Sequence, residues 1–190
     1  MHTAIRLWFE GGDPVAIHTL ASAAHEIVHA LFKKKGLKGL AFDTPYVKAD
    51  KRQHWASALK KPANFFKHAH NEDAGASYEF DPALSILMMS ASCKGLMNIG
   101  EPISMEALAL TYWMVFANPA AFGTSEEFRK HPKIQFIQQL ATKSRDVYFR
   151  EFEEAYKTGV LVFGATNLGT PRAPHVWKIP RRGAHKAPPS

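Results

Sequence analysis

A chain of 190 residues is long enough to bury one sizeable core and short for two. Its 46% hydrophobic, 12% aromatic and 22% charged residues exclude a disordered composition, and the single Cys93 excludes an intramolecular disulfide framework. Net charge is +7, and because no acidic residue follows Glu154 while Lys157, Arg172, Lys178, Arg181, Arg182 and Lys186 do, the excess is expected in the C-terminal segment, with a body close to neutral.

The opening stretch "MHTAIRLWFEGGDP" has neither a basic flank nor a long apolar run, and no apolar run approaches the roughly 20 residues a bilayer span needs. A cytoplasmic protein with no membrane partner is the expectation. Asp13-Pro14 suits a helix entry, with Ile17, Leu20, Ala21, Ala24, Val28 and Leu31 recurring at three and four until Lys33, Lys34, Lys35 and Gly36 close it. After the irregular "FDTPY", a second helical segment is predicted from Asp50 to His70, with Pro62 as a kink or a fresh start. Further helices are predicted over Pro82–Ile99, Ser104–Ala117 and Ser125–Thr158, the last broken near His131-Pro132. Only "SYEF" and "VLVFG" read as strand. The expected fold is therefore an all-α, single-domain bundle of about five to six helices with at most a short strand pair. Residues 1–166 form the domain, and the Pro/Gly/Arg-rich tail 167–190 does not pack.

The chemistry concentrates in "HEIVH". A helix puts His25 and His29 on one face, able to share a metal, with Glu26 beside them as a general base for a bound water. A zinc protease needs a third ligand, but the extended motif would put Gly and His where Phe32 and Lys35 stand, and the next acids are Asp43, Asp50 and Glu72. A different site fits the pattern better. His18, Ser22, His25 and His29 form one polar stripe, and "NFFKHAHNED" brings His68, His70, Glu72 and Asp73 to the end of the second helix. If these helices pack antiparallel, His18, His25, His29, His68, His70 and Asp73 are candidate ligands for a divalent ion, Zn, Fe, Mn or Ni by donor chemistry. Against this stands the plain reading of half-buried histidines bonded to backbone or carboxylate.

The blocks "AIRLWFEGGDPVAIHTLASAAHEIVHAL" and "KKPANFFKHAHNED" resemble those of a group of short bacterial proteins without an assigned reaction. That resemblance implies a helical fold and a bacterial origin. More distantly, "KPANFFKH" resembles the RNA-cleaving motif of helical HEPN domains, which act at a dimer seam. Asn64 and His68 match its spacing, but Ala63 replaces the arginine that would stabilise the phosphate, with Lys61 and Lys67 as partial substitutes. The implied role is a HEPN-like module, possible as a homodimer, binding RNA, a nucleotide or an anionic partner through Asn64, His68 and the tail residues Arg181 and Arg182. Three functions follow: a histidine and carboxylate metal site between two helices, a HEPN-like binding module, and a minimal HExxH metallohydrolase with Glu26 as base.

Overall fold

The computed structural model describes residues 1–68, 77–117 and 125–161. Among them are eight α-helices, two one-turn 3-10 segments and no strand, an all-α bundle. "SYEF" is unpaired chain, and "VLVFG" runs beyond the described residues after Leu161. Two features raise the number of helices above the expected five or six. Helix α1 (His2–Phe9) occupies the opening stretch, and Ser125–Thr158 breaks twice, into α6 (Glu126–Lys130), α7 (Pro132–Leu140) and α8 (Arg145–Lys157).

Helix α1 is eight residues long and buries Ala4, Ile5, Trp8 and Phe9, so tertiary packing holds what an isolated peptide of that length would not. The Gly11-Gly12 turn then brings the chain back under it. Gly11 takes φ +72°, the Gly12 N–H donates to the Leu7 carbonyl at 2.7 Å, and a Cβ on Gly12 would stand 3.0 Å from Leu7 Cδ2.

Helix α2 (Pro14–Lys34) starts as its sequence dictates, with the Asp13 carboxylate accepting from the Ala16 N–H at 2.7 Å and Pro14 in the first turn. By length and composition alone it is apolar enough to cross a membrane, but its inner face is packed in the bundle. Helix α3 (Arg52–His68) continues through Pro62. The missing N–H releases only the carbonyl of Ala58, an exposed residue, so the vacant acceptor is not sealed in the core.

Helices α2 and α4 (Ala83–Asn98) form the largest helix pairing of the bundle. His18 faces Ser85 and His25 faces Ser92 at one constant offset of 67 residues, so the two helices run parallel. Gly95 permits their close approach, since a Cβ there would lie 2.7 Å from Val28 Cγ1. Helix α3 runs antiparallel to α2, with Phe66 beside His18 (ring centroids 6.2 Å) and Lys60 over Phe42, whose ring packs on His25.

The other side of the bundle is built from α1, α5 (Met105–Ala117) and α8. Phe9 stacks on Phe149 at 4.7 Å and Tyr148 at 5.6 Å, and Trp8 and Trp113 close on it edge-on. Arg6 ties the three helices together, bonding Glu106 at 2.9 Å and Glu153 at 2.8 Å.

The cationic excess is not confined to the tail. Residues 33–68 carry ten Lys and Arg against Asp43 and Asp50, so the folded body is segregated in charge although nearly neutral in sum.

Candidate functional site

Two histidine and serine rungs cross the α2–α4 seam, one heptad apart. In the first, His18 Nδ1 lies 3.2 Å from Ser85 Oγ and Nε2 lies 3.3 Å from Ser22 Oγ. Both ring nitrogens are engaged, and the side chain is fully buried beside Phe66 and Phe80. Burial lowers the pKa of His18, so this imidazole is neutral.

The second rung is built differently. Ser92 Oγ donates its proton to the Met88 carbonyl at 2.7 Å, so it can only accept from His25 Nδ1, 3.2 Å away. This places the imidazole proton on Nδ1 and leaves Nε2 a bare lone pair. That nitrogen is buried and has no hydrogen-bond partner. Burial, with lesser contributions from His29 and Lys60 that outweigh the opposing one from Asp43, brings the pKa of His25 from 6.5 down to about 4.

One turn further along α2, His29 is half-buried and its Nε2 lies 3.6 Å from Asp43 Oδ1, too far for a hydrogen bond. The His25 and His29 rings stand 6.2 Å apart between centroids, and Phe42 packs edge-on against both, at 4.6 and 5.3 Å. Asp43 is fixed because its Oδ1 accepts from the Gly39 and Leu40 N–H groups at 3.1 and 2.9 Å, which leaves Oδ2 open. The Lys60 ammonium sits 4.6 Å over the Phe42 ring on the same side.

The structure thus brings His25, His29 and Asp43 into one neighbourhood, and builds His18 into a satisfied rung one heptad away. His68 and Asn64 are exposed on α3, with His68 beyond Phe66 and two turns past Lys60, about 12 Å of helix. Glu26 is half-buried on the flank of α2. His70, Asp73, Arg181 and Arg182 lie outside the described residues. Among the described residues no three His, Cys, Asp or Glu side chains are already gathered closely enough to hold an ion.

Sequence reading missed three participants. Ser85 and Ser92 were legible as a second pair of polar residues seven apart, matching the spacing of His18 and His25. Asp43 gave no such signal, because it is fourteen residues from His29 and sits in the turn Ala41–Asp43 rather than on a helix. No family model, curated protein or solved structure matches the chain.

Proposed function

We propose that this chain is a helical metal-binding protein whose ion, of the Zn, Fe, Mn or Ni class, is held by His25 Nε2, His29 Nε2 and the Asp43 carboxylate. The observation that carries this reading is the His25 tautomer. A ligating histidine characteristically donates its other ring N–H to a fixed acceptor, and the Met88 and Ser92 chain does this for His25 while leaving a buried lone pair with nothing to bind. Holding an ion would require the His29 ring to turn from Asp43 Oδ1 toward His25, Asp43 to present Oδ2, and the Lys60 ammonium to leave the neighbourhood. An ion held by three protein ligands would act as a Lewis acid toward a bound water, and Glu26, which follows His25 on α2, would be the candidate general base.

The test is metal analysis of untagged protein, followed by Zn²⁺ titration and by Co²⁺ visible spectroscopy of the metal-stripped chain. One ion per chain is expected, with affinity reduced at least tenfold in His25→Gln and Asp43→Asn and unchanged in His68→Ala. Absence of stoichiometric uptake, or uptake indifferent to His25→Gln, removes the proposal.

A second reading has its own observation. No carboxylate occurs between Lys51 and His68, and Lys61, Asn64, Lys67 and His68 are all exposed on α3. This surface suits RNA or another anionic partner, as in a HEPN-like module. Salt-sensitive RNA binding that weakens in Lys61→Ala and Asn64→Ala supports it, and RNA binding unaffected by both excludes it.

A further inference from the structure

Helix α2 is apolar on the face it turns away from the bundle as well as on the one it buries. Ala16, Leu20, Ala23, Ala24, Ile27, Ala30 and Leu31 recur at three and four along the solvent side. Ile27 is 64% exposed, and Leu20 and Leu31 are each 40% exposed. A surface helix ordinarily carries charge on this side, yet from Pro14 to Phe32 the only formally charged side chain is Glu26, set to the flank. The stripe ends in cations. Lys34 stands on its line one turn past Ala30, and Lys33, Lys35 and Lys38 surround it. Lys33, Lys34 and Lys38 are exposed and form no ion pair among the described residues, and Leu37 adds a further exposed apolar side chain between them.

We propose that this face of α2 docks on an anionic phospholipid surface, its leucine and isoleucine stripe entering the headgroup boundary and its terminal lysines meeting lipid phosphates. The pairing of the two features selects this occupant. A nucleic acid would meet the lysines but leave Leu20, Ile27 and Leu31 in water. A second copy packed parallel along the stripe would stack one lysine run on another, and packed antiparallel would set the four lysines Lys33, Lys34, Lys35 and Lys38 against only Glu10 and Asp13, leaving positive charge unanswered at both ends. An anionic bilayer supplies apolar depth and negative charge together, and lysine stems can lie along the apolar boundary while their ammonium groups stay with the headgroups. Glu10 and Asp13 lie at the far end of α2, so the lysine end faces the lipid more closely. The surface is separate from the His25 neighbourhood, which lies on the opposite face of the helix, and is independent of the ion reading.

The full-length untagged chain carrying Ile27→Cys, labelled with an environment-sensitive dye, tests this. Cys93 does not compete for the label, being buried with its thiol pushed up to about 12. With phosphatidylglycerol-containing vesicles the dye at position 27 is expected to shift to the blue, while a dye at the exposed Gln138→Cys does not. Combined Lys33→Gln, Lys34→Gln and Lys38→Gln changes should weaken vesicle binding on the order of a hundredfold, and high salt should release the protein. Three results overturn the proposal: co-sedimentation with no shift at position 27, which assigns binding to the basic tail; a shift without vesicles in a species of doubled mass, which assigns the face to a second copy; and binding to nucleic acid with none to vesicles.

Discussion

The two sides of the bundle use ionisable groups in opposite ways. At the α2–α4 seam, His18 and His25 are fully buried and bonded to serine hydroxyls, and the packing requires them neutral. Where α1, α5 and α8 meet, Arg6 holds Glu106 and Glu153 across an aromatic stack, and the packing requires all three charged. A histidine can be stripped of water at neutral pH because its neutral form makes two ordinary hydrogen bonds, whereas an ion pair stays where part of it still touches solvent. Consistent with this, the Arg6 side chain remains 37% exposed. The difference also separates structure from chemistry within the seam, since His18 has spent both nitrogens and His25 has kept one.

The largest effect is expected from removing the aromatic keystone of the charged side. Phe9 is buried against Phe149, Tyr148, Trp8 and Trp113, so Phe9→Ala loses transfer energy and leaves a cavity costing about 3–5 kcal/mol. Because one continuous core joins Phe9 to Ile17, Ala21, Met88 and Met89 of the seam, urea denaturation is expected to lower both sides in one transition. Loss of near-ultraviolet signal from Trp8 and Trp113 with the seam still protected from hydrogen exchange would show instead that the two sides are separate units.

Acid should act on the seam first. The folded pKa of His25 is lowered from 6.5 to about 4 and that of His18 is lowered as well, so the unfolded chain binds protons before the folded one. Their contribution is complete above the unfolded value of 6.5 and is lost as pH falls from there toward 4, about 3 kcal/mol for His25 when the loss is complete. On the other side, the Glu153 carboxyl bonded to Arg6 is held below the usual range. For Glu106, burial is outweighed by its own backbone hydrogen bond, Ser104 and Arg6. Those contributions persist above 4.5 and fade only as pH drops through the lowered folded values. With chelator present, the urea midpoint is therefore expected to fall between pH 6.5 and 4.5, and to fall much less in a His18→Gln, His25→Gln double variant. An equal fall in that variant would assign the acid sensitivity elsewhere.

Within the seam two smaller changes sharpen the picture. Ser92→Ala removes the acceptor of His25 Nδ1–H and leaves a buried donor unmet, a loss of about 1–3 kcal/mol. It should also weaken Zn²⁺ binding by freeing the ring, a coupling that a purely structural rung would not give. Gly95→Ala drives a Cβ into Val28 and Leu40 and is expected to cost a similar amount by spreading the helices, read as a lower melting temperature.

How much of this was legible follows from where each signal sits. Helix α2 was plain because cap, proline, period and lysine stop all agree along one segment. Helix α1 was not, since eight residues carry too little pattern and its support comes from packing on the neighbouring α2 and on α5 and α8, which are distant in sequence. The break at Ala141–Ser144 was masked by residues that each tolerate a helix. As for the site, the HExxH pair disclosed His25 and His29, but tautomer and satisfaction are decided by Ser85, Ser92 and Asp43. Those partners belong to other elements, and no local spacing announces them.

The smallest expected effect makes the same point with ion pairs alone. Lys143 contacts Glu151 at 2.6 Å and Arg6 contacts Glu106 at 2.8 Å, so length would rank the lysine pair first. Burial ranks them the other way. Lys143 and Glu151 are 44% and 38% exposed, so water and salt replace most of what Lys143→Ala removes, and a loss under about 0.5 kcal/mol is expected. Glu106 is only 12% exposed, and Arg6→Ala leaves that carboxylate beside the core without its counter-charge, so a loss of about 1–2 kcal/mol is expected. Measured side by side in low and high salt, the lysine variant should converge on wild type while the arginine variant stays below it. Convergence of both would mean that water reaches Glu106, and that the charged side of the bundle is held by its aromatic stack alone.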